Sequence, residues 1–98
     1  MCSLHHRPLG KRRPYLVLTR QTAIPVLHAV LAVPATRTVH GIPTEVALDG
    51  DDGMPAACAL SLDNVTVMPK SLLVERLTRL GVDRMTEVCT ALRVATGC

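Results

Sequence analysis

The apolar residues of this chain change their spacing once, and that change restricts the folds open to it. Up to Met68 they come in short β-branched and leucine-rich runs bounded by proline or turn residues; beyond it they recur every three or four positions. A spacing of about 2 belongs to a strand and one of about 3.6 to a helix. Strands first and helices last, without βαβ alternation, predict an antiparallel α+β domain with a small curled sheet and exclude a doubly wound nucleotide fold.

The individual runs set the expectations. Residues 15–19 (YLVLT) and 26–33 (VLHAVLAV) read as buried strands, with His28 as a core or sheet-face histidine. Residues 36–43 (TRTVHGIP) read as a loop turned at Gly41, and 44–48 as a short strand. Residues 49–53 (DGDDG) read as a hairpin connection with too few oxygen ligands for a calcium loop, and 57–62 and 65–68 as two more strands. Leu72, Leu73, Leu77 and Leu80 predict a first helix closed by Gly81, with Glu75 and Arg79 paired along it. Asp83 is the expected N-cap of a second helix, whose apolar stripe is Met85, Val88, Leu92 and Ala95 and which Gly97 ends. Residues 1–14 mix basic residues with Pro and Gly without periodicity, predicting a loop or frayed arm, with 1–10 the flexible part.

Ninety-eight residues suit one domain with one modest core, so 1–98 is read as a single unit. Tyr15 is the only aromatic residue, which excludes modules that bind single strands by stacking bases on aromatic rings. Any nucleic-acid contact must run through phosphates and polar groups. The net charge is +3, and Arg7, Lys11, Arg12, Arg13 and Arg20 all precede the first acidic residue, Glu45. That asymmetry fits a polyanion partner, or merely a solvated basic face.

The four cysteines have no CxxC spacing and the N-terminus has no signal-like apolar run, which points to a reduced, cytoplasmic protein. No apolar stretch reaches the length of roughly 20 residues that spans a bilayer, so no membrane partner is expected. Cys2, His5 and His6 lack a fourth ligand and a standard spacing, so no metal site is expected, and without a glycine-rich phosphate loop no cofactor is implied.

Three segments in order carry a resemblance: KRRPYLVLT (11–19), VPATRTVHGIPTEV (33–46) and LSLDNVTVMPKS (60–71), followed by a terminal run ending ALRVATG. Together, over residues 11–98, they resemble the MazF/PemK toxins of toxin–antitoxin systems. The resemblance implies an SH3-like barrel of the CcdB/PemK kind with C-terminal helices, a homodimer, a MazE-like antitoxin partner, and sequence-specific cleavage of single-stranded RNA without metal. By position, Arg13 resembles the family's catalytic arginine and Thr36 the threonine that opens its RNA-contacting loop. Lys11, Arg12, Arg37, Ser61, Asp63 and Asn64 fall where RNA contacts are expected. Residues 1–9 do not resemble the family's first strand, and Thr66 stands where many relatives carry an arginine.

The chemistry suits these residue types. RNA brings its own nucleophile, the ribose 2′-OH, so a catalyst must align it, move protons and stabilise charge on the phosphorus. A guanidinium is always charged and offers a planar fork to phosphate oxygens. Taken alone, Arg13 reads as a surface arginine beside a strand; the surrounding pattern makes it the candidate. Its high pKa makes it a poor base. His40, in the TRTVHG loop, is the candidate acid or base, with a solvated loop histidine as the other reading. The rival function is a non-catalytic or degenerate toxin-fold module that acts by binding protein, either a gyrase or only an antitoxin.

Overall fold

The early apolar runs build five of the seven strands, pairing makes strands of two further segments, and the helical spacing of the last segment builds one helix. The computed structural model describes residues 13–73 and 75–98, and residues 3–6. In chain order the strands are β1 (Ser3–His6), β2 (Pro14–Val17), β3 (Ala29–Thr36), β4 (Glu45–Leu48), β5 (Cys58–Ser61), β6 (Thr66–Pro69) and β7 (Glu75–Arg79), followed by α1 (Val82–Thr96). All described pairings are antiparallel, in the order β4-β5-β3-β2-β1-β7, with β6 also on β3.

The eight residues of β3 organise the sheet. One edge pairs with β2 from Tyr15↔Pro34 to Val17↔Ala32. The other pairs first with β6, from Ala29↔Pro69 to Ala32↔Thr66, and then with β5 through Ala35↔Leu60 and Thr36↔Ala59. Pro34, which has no N–H to give to a ladder, lies where the β6 pairing has ended and the β5 pairing has yet to begin. A strand shared among three partners turns the sheet on itself, giving the α+β fold with a curled sheet that the pattern predicts and the barrel-like form that the resemblance implies.

Both faces of the sheet are covered. Leu16, Val33, Leu48, Leu60 and Leu62 pack on one side against Val88 and Ala91 of α1. On the other side Tyr15, Ala32 and Met68 are closed by Leu72 and Leu73. Leu16 and Leu60 have no exposure, so truncating either to alanine costs about 2–5 kcal/mol. The expected stripe of Met85, Val88, Leu92 and Ala95 does meet the core, with Ala91 added to it.

Four expectations are corrected. The N-terminal segment is not wholly an arm: 3–6 form β1, hydrogen-bonded to β2 on one side and β7 on the other. The rest of that stretch, 1–2 and 7–12, lies outside the described residues, as does 74. The expected helix through Leu72–Leu80 is instead a 3-10 turn over Lys70–Leu72 followed by β7. An isolated helix so short gains little by itself, whereas a strand there supplies the second partner of β1, and tertiary pairing wins. Glu75 and Arg79 therefore do not form a helical pair, and Gly81 caps the start of α1 rather than the end of another helix; Asp83 lies in its first turn. Finally, residues 24–26, held by Pro25, form a 3-10 turn, and His28 is exposed just before β3 rather than set in the sheet.

The DGDDG segment is the β4–β5 connection it was expected to be. Asp49 accepts the Asp51 N–H at 2.9 Å and gives its own N–H to Asp52 at 3.0 Å, which closes a 3-10 turn over Gly50–Asp52. Gly53 follows at φ 82°, and a Cβ there would come within 2.5 Å of Thr78 Oγ1, so only glycine fits. Thr78 Oγ1 donates to the Asp52 carbonyl at 2.9 Å and Arg84 Nε to the Asp52 carboxylate at 2.9 Å, tying the turn to β7 and α1.

Candidate functional site

The register of β2 on β3, continued two residues past Tyr15↔Pro34, sets Arg13 opposite Thr36 at the open end of the pair. Neighbours across an antiparallel ladder have Cβ atoms roughly 5 Å apart, so guanidinium and hydroxyl can act on one ligand atom. They form a ridge between two concave surfaces. A polar cleft of about 540 Å³ also takes in His40, Glu45, Ser61, Asp63 and Asn64. A more apolar cleft of about 350 Å³ takes in Arg37, with Met54, Pro55 and Cys58 among its walls. Arg13 is exposed and Thr36 half-buried, as a group that must meet a ligand and a group that must be held in place would be.

The loop beyond β3 is shaped by side chains that the sequence reading did not single out. Glu45, at the start of β4, accepts the backbone N–H groups of His40 at 2.8 Å and Gly41 at 2.9 Å through Oε1. Gly41 bends the loop at φ 67°, a conformation glycine adopts without a Cβ penalty. A carboxylate accepting two N–H donors is a strong tether, so Glu45 fixes the turn carrying His40. Thr44 Oγ1 donates to Asp63 Oδ2 at 2.5 Å, and the Leu62 N–H donates to the Thr44 carbonyl at 2.9 Å, which joins the loop to the Asp63 turn. Asn64 Nδ2 donates to Ser61 Oγ at 2.7 Å. Thr36 Oγ1 accepts the Thr38 N–H at 3.2 Å, which orients its oxygen and leaves the hydroxyl hydrogen to give to a ligand.

Of the candidate residues, Arg13, Thr36, Arg37, His40, Ser61, Asp63 and Asn64 all line one or both clefts. Lys11 and Arg12 lie outside the described residues. Thr66 lines the polar cleft and presents a neutral hydroxyl to it. Glu45 and Thr44 were within the PTEV segment, but their role depends on contacts across the loop that spacing alone does not reveal. Cys58 borders the apolar cleft as a buried thiol. Burial pushes its pKa up, the nearby Asp52 charge adds to that, and Arg37 offsets part of it. The thiol therefore stays protonated near neutrality and is no nucleophile. Among the described residues, no group of three or more His, Cys, Asp or Glu side chains could hold a metal ion, and no helix is long and apolar enough to cross a membrane.

Three comparisons bear on this geometry. Residues 3–96 match the family model of the PemK-like, MazF-like toxin of type II toxin–antitoxin systems. A probable endoribonuclease, MazF5 of Mycobacterium tuberculosis, is 46% identical over 88 residues, covering 89% of this chain and 81% of the relative. The solved structure of the Mycobacterium tuberculosis toxin MazF-mt6 superposes with a TM-score of 0.90 at 32% identity, over 97% of this chain and 96% of that one. A mycobacterial endoribonuclease in complex with its cognate antitoxin superposes at 0.88 with 27% identity, over 97% and 91%.

Proposed function

The chain belongs to the PemK-like, MazF-like toxin family of type II toxin–antitoxin systems, and on that premise we propose that it is an endoribonuclease toxin that cuts single-stranded RNA at the Arg13–Thr36 ridge. The observation that carries this reading is the sharing of those two residues, an exposed cation and an oriented hydroxyl, by both clefts. A strand crossing the ridge sets one phosphate on it and a nucleotide in each hollow. Relatives named as endoribonucleases favour cleavage over the rival in which the fold acts only by binding protein.

The chemistry needs no metal. The 2′-OH of the nucleotide before the cut loses its proton and attacks the adjacent phosphorus. The P–O5′ bond breaks, the departing 5′-oxygen takes up a proton, and a 2′,3′-cyclic phosphate remains. Arg13 neutralises the charge that builds on the non-bridging oxygens, and Thr36 donates a hydrogen bond that fixes the phosphate. His40, on the wall of the polar cleft, is assigned the proton transfer. Asp63, Asn64 and Ser61 offer acceptors and donors to base edges, with Lys11, Arg12 and Arg37 as phosphate contacts.

In this reading residues 1–98 act as one toxin domain in the cytoplasm, as a homodimer, held in check by a MazE-like antitoxin. The test is incubation of the purified protein with a long single-stranded RNA in EDTA. Discrete fragments with cyclic-phosphate ends are expected; intact RNA under those conditions contradicts the proposal.

A further inference from the structure

A second cationic hollow opens on the same sheet face as the polar cleft, and the RNA reading does not use it. Lys70, Arg76 and Arg79 surround a floor of Val17, Val30 and Leu73 in a cavity of about 270 Å³. No acidic side chain lines it among the described residues, and neither Arg76 nor Arg79 forms an ion pair among them. Lys70 is held in place by donating through Nζ to the Ile24 carbonyl at 2.7 Å, and an ammonium has further protons to give.

Strand irregularity explains how two arginines three positions apart come to share this hollow. The β1–β7 ladder pairs Leu4 with Thr78 but His5 with Arg76, so Leu77 is an extra, unpaired residue. A bulge of this kind shifts the alternation of side chains by one, which brings Arg76 and Arg79 to the same side.

The relation to the cutting ridge follows from alternation along two strands. On β2, Tyr15 lines the polar cleft and Val17 the cationic hollow; on β3, Pro34 and Thr36 line the first and Val30 the second. The buried group of Tyr15, Ala32 and Met68, with Leu72 and Leu73 against it, lies between them. Thr36 and Val30 are six residues apart on one strand, so these two lining residues are up to about 20 Å apart at roughly 3.3 Å per residue. Several linked nucleotides cover that span.

The geometry points to this hollow as an exosite for the backbone of the same RNA, holding a phosphate several nucleotides from the cut. The inference rests on the nuclease reading of Arg13. A strand anchored there is favoured over an acidic peptide because the hollow lies on the sheet face that carries the ridge and repeats the ridge's use of arginine toward an anion. Two guanidinium forks and an ammonium converging without a counterion among the described residues suit a phosphate, and the aliphatic floor accepts a ribose edge.

The test compares wild type with the double variant Arg76→Gln/Arg79→Gln on a short RNA spanning only the cut site and on the same RNA extended on both sides. The expected result is a KM several-fold higher for the extended RNA, with kcat unchanged and the short RNA cut as by wild type. Arg76→Lys/Arg79→Lys restores part of the loss and controls for folding. Fluorescence anisotropy with uncleavable 2′-deoxy strands of both lengths reads binding alone. Wild type binds the longer strand more tightly, and the double variant loses that gain together with about 0.7 of salt slope per lost phosphate contact.

Equal effects on both lengths, or none, overturn the exosite. So does loss of binding to an acidic, leucine-bearing peptide with strand binding intact. Length-dependent binding without any cleavage by wild type contradicts the nuclease reading and leaves the exosite standing.

Discussion

Arg13 and Thr36 are the two residues common to both clefts, and the β2–β3 register, carried two residues past Tyr15↔Pro34, sets them opposite one another. The relationship is made by backbone register rather than by any bond between the two side chains. It therefore survives changes to either side chain, which makes each separable by mutation.

Glu45 holds the loop that carries His40, and its removal is expected to loosen that loop without unfolding the sheet. Glu45→Ala leaves the N–H groups of His40 and Gly41 without their acceptor. Both are exposed, so water replaces the carboxylate and the stability cost stays near about 1 kcal/mol. RNA cleavage should fall by about tenfold or more as the loop loses its position. Melting temperature and cleavage rate measured on one preparation check this; an unchanged rate contradicts the assignment.

The ion pair of Asp52 with Arg84 gives the fold a predictable acid sensitivity. Burial alone would raise the Asp52 carboxyl, but the hydrogen bonds from Arg84 and the Asp49 N–H and the charge of Arg84 outweigh it and hold the pKa below the ordinary 3.8. A depressed folded pKa contributes stability that is present above the unfolded value and is lost as pH falls through the folded one. Asp52→Asn should therefore be less stable than wild type by about 1–3 kcal/mol near neutrality, with the gap closing below pH 3.8. Denaturant midpoints across that range measure it, and a gap constant with pH contradicts the pairing.

His40 lines the polar cleft and is the residue proposed to move a proton there. His40→Ala should lower kcat by about 10²-fold or more and remove one limb of the pH–rate profile. A variant with the wild-type rate and profile returns His40 to the role of a solvated loop residue.

Much of the sheet was legible because strands buried on one or both faces leave runs that proline and glycine punctuate, as at 15–19, 44–48 and 57–62. The last third was half legible. The stripe of Met85, Val88 and Leu92 marks α1 correctly, whereas Leu72, Leu73, Leu77 and Leu80 mimic a helix because a 3-10 turn and a bulged strand also bring leucines to three- and four-residue intervals. β1 was hidden because SLHH has no alternation to read, and only its pairing with β2 and β7 makes it a strand. The sequence singled out Arg13, Thr36 and Asp63, which line the clefts, but not Glu45 and Thr44, which hold other residues, since a tether is defined by its partner across the fold.

The most direct test is the cleavage rate of Arg13→Ala on a single-stranded RNA, alongside its circular dichroism and melting curve. Arg13 is exposed, so the variant should fold and melt like wild type while cutting about 10²–10³-fold more slowly. A folded Arg13→Ala protein that cuts at the wild-type rate would contradict the assignment of catalysis to this ridge.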